Sequence, residues 1–320
     1  MIEAENLGMR FGSFLAVDGA SFRVEKGEVA GLLGPNGAGK SSTMRILTTF
    51  LAPSSGTARV AGFSIENDPI EVRRRIGYLP ENPPLYLDME TAEYLEFVGR
   101  SRGLGGDALR RRLAWASRRC GLEPVFRTPI RFLSKGFRQR TGLAQALIHD
   151  PEVVILDEPT SGLDPHQIHE IRALVAELAE NKTVILSTHI LQEAEAMAGR
   201  VIIISQGRIT GQGTREELRR QAGRGGRVEF AVQAARGDSE EAIGKLPGVE
   251  ECRFQGEGEG VCRYLLAGGD EAEIVFRAGG LAREKGWRVA KLAALPFTLE
   301  ETFLALTAGE KIAQKGETAA

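Results

Sequence analysis

At 320 residues the chain is too long for one compact core and is expected to form two domains. Its content of 42 % hydrophobic and 26 % charged residues is that of a globular protein, and a net charge of −2 argues against a nucleic-acid binder that works through bulk electrostatics. No apolar run approaches the roughly 18 residues of a membrane-spanning helix, the start Met1–Glu5 lacks a signal-peptide pattern, and Cys120, Cys252 and Cys262 form no metal-type cluster and read as free thiols.

The first residues alternate as strands, Ile2–Leu7 and Ala20–Val24, the second ending at the turn signal Lys26-Gly27-Glu28. Between them lies Arg10-Phe11-Gly12, where Phe11 is either a stacking platform for a purine ring or a core residue. Glu28–Leu33 reads as a short buried strand, and Thr43–Thr48 opens a helix. The stretch between them, Gly34-Pro35-Asn36-Gly37-Ala38-Gly39-Lys40-Ser41-Ser42, fits the phosphate-loop template G-x-x-x-x-G-K-[ST]. Its glycines let backbone N–H groups curl around a polyphosphate, and the helix start adds partial positive charge aimed at the same anion. Lys40 would reach the β- and γ-phosphates, and the Ser41 hydroxyl would ligate Mg2+.

Beyond the loop helix come a turn at Pro53–Thr57, a strand at Thr57–Gly62 and a basic helix at Ile70–Arg75 leading into Ile76–Glu81. From Thr91 to about Ile148 the apolar spacing is helical, with the arginines at 110–112, 118 and 119 on a solvated face. Within it, Leu133-Ser134-Lys135-Gly136-Phe137 opens a helix whose free N–H groups and serine hydroxyl form a second candidate anion site, although serine is also a common N-cap. Val153–Glu158 is a buried strand ending in two acids, which places carboxylates where ligands bind in open α/β sheets. Asp157 would hold Mg2+, and Glu158 would orient or activate the attacking water. Ser161–Pro165 is a turn before the helix Ile168–Ala179. The strand Thr183–His189 follows, and its terminal His189 is either structural or a contact of the γ-phosphate. Val201–Ser205 and Arg208–Gly213 close the first domain.

From Arg215 the character changes, with a linker expected over 216–226. Strands at Val228–Val232, Val249–Phe254, Val261–Leu266 and Trp287–Leu292 alternate with helices at Glu240–Leu246 and Glu271–Lys285. That βαββαβ order suggests a small α+β accessory domain of ferredoxin-like type over 227–308. Thr298-Leu299-Glu300-Glu301 is a capping box that opens a last helix, and 309–320 is expected to be a disordered tail.

Taken together, residues 1–215 resemble the nucleotide-binding domain of ATP-binding cassette (ABC) transporters. The resemblance rests on the order of the phosphate loop, the signature Leu133–Phe137, the strand ending in Asp157 and Glu158, the D-loop Ser161-Gly162-Leu163-Asp164, and His189. It implies an α/β fold of the P-loop NTPase class, with a RecA-like core, an antiparallel β subdomain and a helical subdomain over about 82–150. It also implies that Phe11 stacks on adenine, that Glu158 and His189 are catalytic, and that ATP and Mg2+ are bound. Two copies would form a head-to-tail dimer in which Ser134, Lys135 and Gly136 of one copy contact the nucleotide of the other. Glu81 stands where the family usually has a glutamine that reaches Mg2+, and a carboxylate can also ligate that ion. The segment 82–89 lies where the family meets a separately encoded transmembrane permease, which would hold the protein at the cytoplasmic face of the inner membrane.

The helix containing Leu299-Glu300-Glu301-Thr302-Phe303 resembles the tails of ATPases from bacterial ABC-2 type exporters, and Tyr78–Tyr86 resembles the gliding-motility-associated group. The rival function is an ABC ATPase acting on ribosomes or nucleic acid without a membrane partner. Such proteins usually carry two cassettes or a long coiled-coil insertion, and this chain has one cassette and no such insertion.

Overall fold

Strands covered on both faces read as unbroken apolar runs, because neither side of the pleat meets water. Val153, Val154, Ile155 and Leu156 are all fully buried in the computed structural model, which describes residues 1–222, 225–295 and 298–307. The chain divides into two compact units, Met1–Thr214 and Arg215–Ala320.

In the first unit, the strands β1 (Ile2–Phe11) and β2 (Phe14–Val24) form a hairpin, followed by β3 (Val29–Leu33) and the helix α1 (Lys40–Leu47). Next come β4 (Ser55–Val60), β5 (Phe63–Ser64), α2 (Pro69–Arg75) and β6 (Ile76–Leu79). Three further helices, α3 (Thr91–Ser101), α4 (Gly106–Arg119) and α5 (Lys135–Leu147), precede β7 (Val153–Asp157) and α6 (Pro165–Ala179). The unit ends with β8 (Thr183–Thr188), α7 (Leu191–Met197), β9 (Arg200–Ser205) and β10 (Arg208–Gly213).

These strands form an antiparallel sheet of order β2-β1-β4-β5 and a six-stranded sheet of order β10-β9-β3-β8-β7-β6. The larger sheet is parallel from β9 to β6, with β10 added antiparallel at its edge. Successive side chains of its strands point to opposite faces. Val153, Ile155 and Ile185 therefore join a core with α1 and the antiparallel sheet, whereas Val154, Leu156, Val184 and Leu186 join one with the helices on the other side. The register places Leu33 beside Thr188 and Asp157 beside Ser187 at one end of the sheet, so the loops that leave β3, β7 and β8 emerge side by side.

The hairpin β1–β2 runs further than its alternation predicts, because pairing continues to Phe11 opposite Phe14 across a turn at Gly12. The helical stretch expected from Thr91 is divided into three helices, with Gly103 in the left-handed region after α3 and short 3-10 turns before α5. Helix α3 carries a reciprocal capping box between Glu90 and Glu93.

In the second unit, part of the stretch expected as a linker, 216–226, has regular structure. Residues Arg215–Gln221 form a helix, α8, and Gly226 already begins a strand. Leu218 supplies a fully buried anchor. Glu216 and Glu217 in the first turn and Arg219 and Arg220 in the last complement the helix dipole. Gly223 and Arg224 lie outside the described residues. The strands β11 (Gly226–Gln233), β12 (Val249–Gly258), β13 (Val261–Gly268) and β14 (Arg288–Ala294) alternate with α9 (Arg236–Gly244) and α10 (Glu271–Lys285). They form a fully antiparallel sheet of order β12-β13-β11-β14, over a core that includes Phe230, Tyr264 and Ile274. Residues 299–307 are helical, whereas the tail expected over 309–320 lies outside the described residues.

Candidate functional site

The loop Gly34–Gly39 leaves β3 and turns directly into α1. Its sharpest requirement is at Gly39, where φ is +106° and a Cβ would lie 2.4 Å from the Ala16 carbonyl oxygen. No L side chain fits such a position without displacing backbone. Helix α1 has no side-chain cap and no acidic residue in its first turn. Its leading N–H groups and positive dipole end therefore lack an anionic partner from within the helix.

Lys40 is 6 % exposed and holds its ammonium on three oxygens. Nζ donates to the carbonyls of Gly34 at 2.9 Å and Pro35 at 3.2 Å, and lies 3.3 Å from Glu158 Oε1. On the other side of that carboxylate, His189 Nδ1 is 2.8 Å from Glu158 Oε2. An ionised carboxylate only accepts, so the imidazole proton in this contact sits on Nδ1. Glu158 thus bridges a lysine and a histidine that come from two other parts of the chain.

The backbone at Glu158 is itself unusual, with φ +50°. A non-glycine residue in the left-handed region costs about 1–3 kcal/mol and persists only where its surroundings hold it. Here the Glu158 N–H donates to Ser187 Oγ at 2.9 Å, and the Ser161 N–H returns to the Glu158 carbonyl. Ser187 Oγ also donates to Asp157 Oδ1 at 2.6 Å, while Ser41 Oγ donates to the same oxygen at 3.2 Å. Asp157 is buried. Burial, reinforced by the negative charge of Asp157, pushes the Tyr78 phenol on β6 up to about 12.

Lys40, Ser41, Glu158 and His189 line a cavity of about 500 Å³, within the range of small-molecule sites, and Asp157 and Ser187 lie behind them. Asn36, Gly37, Gly39, Lys40, Ser41 and Ser42 line it together with Glu81, Glu158 and His189. Gly34, Pro35 and Ala38 belong to the same loop, and two of their carbonyls hold Lys40 or cap the turn. The hard oxygens of Ser41, Asp157 and Glu81 are the donor type that suits Mg2+, an ion that keeps several waters and takes few protein ligands.

Phe11, expected as the stacking aromatic, is 47 % exposed and is not among the lining residues. Its hairpin partner Phe14 does line the cavity. The signature residues Ser134, Lys135 and Gly136 are also absent from the lining. Ser134 caps α5 by accepting from the Phe137 N–H at 3.3 Å. Lys135 lays its side chain over Gly162, and Gly136 lies against Gln167. Two residues of the site, Phe14 in the lining and Ser187 behind it, have no role in the sequence reading, and Ser161 enters there only as the start of the D-loop. The second aromatic of Phe11-Gly12-Ser13-Phe14 and the polar end of Thr183–Thr188 were the available signals.

Comparison with known proteins adds three likenesses and one family model. The model described as "ABC transporter" matches residues 17–161. The daunorubicin resistance ATP-binding protein DrrA3 of Streptomyces coeruleorubidus is 34 % identical over 313 residues, covering 97 % of this chain and 96 % of that protein. The Nod factor export ATP-binding protein I of Ralstonia nicotianae is 39 % identical over 219 residues, 68 % of each chain. A dimeric ATP-binding cassette solved in a post-hydrolysis state with ADP and Pi superposes with a TM-score of 0.62 at 24 % identity, covering 67 % of this chain and 98 % of that one.

Proposed function

Because the chain belongs to the ATP-binding proteins of the ABC transporters, an ATPase family with the P-loop fold, we propose that it works as an ATP-bridged dimer that drives a membrane permease, in the direction of export. The observation that carries this reading is the Glu158 carboxylate held between Lys40 and His189 at the mouth of a glycine-rich loop. A triphosphate entering that loop brings its own negative charge to Lys40 and frees Glu158 to turn toward water. Water then attacks the γ-phosphorus, the bond to the β-phosphate oxygen breaks, and the proton of the water passes to Glu158. His189 donates from its imidazole to the terminal phosphate. Ser41 and Asp157, with Glu81 beside them, would hold Mg2+, which would neutralise phosphate charge.

Ser134–Gly136 form the second half of the nucleotide site from the other copy, which agrees with their place outside the cavity of their own chain. Dimerisation is supported by the dimeric cassette that shares this fold. The test is light scattering on the protein with ATP and Mg2+ under conditions that block turnover. A mass that stays monomeric removes the dimer reading.

Export is supported by the name of the relative from Ralstonia nicotianae. No helix among the described residues is long and apolar enough to cross a membrane; association with the cytoplasmic face of the inner membrane, through the permease, is part of the same proposal. An apolar groove of about 350 Å³ beside β6, lined by Phe50, Tyr78, Pro80 and Pro84, is the surface for that partner. Phe50 is 73 % exposed there. Phe50→Glu is expected to leave the ATPase rate of the isolated protein within about twofold while cutting co-purification of the membrane subunit at least about tenfold, because it replaces an apolar contact by a carboxylate that must lose water, even with Arg45 beside it. Undiminished co-purification would place the contact elsewhere.

The adenine reading is tested at the hairpin tip. Base stacking on an aromatic is worth about 1–3 kcal/mol, so Phe11→Ala is expected to weaken ATP binding roughly 5- to 150-fold in a fluorescence titration. An equal loss in Phe14→Ala, with Phe11→Ala unchanged, would move the platform to Phe14.

A further inference from the structure

A fully buried carboxylate beside the site has no part in the chemistry described so far. Glu193, in the first turn of α7, is 4 % exposed. A single oxygen, Oε2, accepts from two hydroxyls, Thr160 Oγ1 at 2.6 Å and Thr188 Oγ1 at 2.9 Å. Both threonines are buried. Thr188 Oγ1 in turn accepts from the Ile190 N–H at 3.0 Å, so the donor directions at this junction are all assigned.

The position of the two threonines in the chain gives the contact its meaning. Thr160 lies two residues beyond Glu158, in the turn that carries Ser161 and Gly162. Thr188 is the last residue of β8 and immediately precedes His189. One carboxylate oxygen therefore ties the segment leaving Glu158 to the segment carrying His189, directly behind the 2.8 Å contact between those two side chains. Glu158 sits in a strained backbone conformation, and its direct backbone restraints are the Ser187 hydroxyl on its N–H and the Ser161 N–H on its carbonyl. Burying a carboxylate is costly unless its hydrogen bonds are strong and well made, and hydroxyl donors to a charged acceptor are of the strong kind.

We infer that Glu193 is a positioning residue that holds the Glu158 carboxylate and the His189 imidazole in register for ATP turnover. It is buried and outside the cavity lining, and acts through Thr160 and Thr188. The inference rests on the reading of Glu158 as the group that activates water, and the test separates the two.

The full chain is assayed for ATP turnover and for affinity toward a fluorescent ATP analogue in Glu193→Ala, Glu193→Gln, Thr188→Val, Thr160→Val and Glu158→Gln. A misplacement of about 1 Å at a reacting group costs about a hundredfold in rate. Glu193→Ala is therefore expected to lower kcat by that order while KM and analogue affinity stay within about threefold. Glu193→Gln keeps an oxygen that can accept from both hydroxyls and is expected to restore most of the rate. Thr160→Val and Thr188→Val are each expected to lower kcat with unchanged affinity, and neither is expected to add to the loss in Glu193→Ala. If Glu193→Ala does not fold, the near-isosteric Thr188→Val carries the measurement. Wild-type kcat in Glu193→Ala or Thr188→Val beside an inactive Glu158→Gln overturns the inference. So does a parallel loss of kcat and affinity that Gln does not rescue, since that marks a structural role. Retained turnover in Glu158→Gln instead overturns the underlying reading of Glu158.

Discussion

Glu158→Gln is expected to lower the turnover number for ATP by about 100- to 10,000-fold, the contribution typical of a positioned general base. The substitution preserves shape, but the amide offers one acceptor oxygen where the carboxylate offered two, so it can accept from His189 Nδ1 or face Lys40 and not both. What it removes is basicity and one negative charge. Glu158 lies 3.3 Å from Lys40 Nζ in a buried pair, so neutralising it also leaves Lys40 with a full charge for phosphate to answer. Nucleotide affinity is therefore expected to hold or to rise while hydrolysis fails. With Mg2+ and ATP the variant should accumulate as a dimer with nucleotide bound between the copies. Single-turnover measurement of phosphate release, with light scattering on the same sample, checks both halves. Phosphate release at the wild-type rate would remove Glu158 from the chemistry, and a nucleotide-bound monomer would leave the chemistry intact but remove the dimer.

Lys40→Ala acts on binding instead of rate. The ammonium is 6 % exposed and is held by two backbone carbonyls that aim it along the loop. Breaking one partner out of a buried ionic contact costs about 3–5 kcal/mol, and the partner left behind here is the Glu158 carboxylate. That carboxylate would then face incoming phosphate with only His189 beside it. ATP affinity is expected to fall by at least about a hundredfold, because each 1.4 kcal/mol is a factor of ten. Equilibrium titration with a fluorescent nucleotide measures this directly. Lys40→Arg is not a conservative control, since a planar guanidinium cannot occupy the position between the Gly34 and Pro35 carbonyls as a compact ammonium does. Unchanged affinity in Lys40→Ala would refute the phosphate-loop assignment.

The two substitutions also separate the roles of the bridge at Glu158. One is expected to remove the proposed general base and spare binding. The other is expected to remove a cation for the triphosphate and make the effect on rate secondary. Opposite outcomes in affinity, a gain or no change against a large loss, would follow from one geometry, the carboxylate shared by Lys40 Nζ and His189 Nδ1.

What could be read from the chain alone was whatever depends on neighbours in sequence. The phosphate loop is contiguous, so its glycines, its lysine and the helix behind it announce themselves by spacing. The apolar run Val153–Leu156 and the acids after it mark a parallel strand end for the same reason, since a strand buried on both faces cannot alternate. The βαββαβ order of elements in the second unit was legible from alternation and helix signals, and α8 was missed because a seven-residue helix with one apolar anchor has too little periodicity to stand out. The tertiary structure decided everything that joins distant strand ends. Ser41 meets Asp157 across 116 positions, and Ser187 supports both Asp157 and the strained Glu158 because β7 and β8 pair in parallel, with Asp157 beside Ser187. The sharing of Glu193 by Thr160 and Thr188, and the choice of Phe14 over Phe11 at the cavity wall, depend likewise on register and hairpin twist. Local spacing specifies which groups a loop can offer; only the order and register of the sheet determine which of them meet.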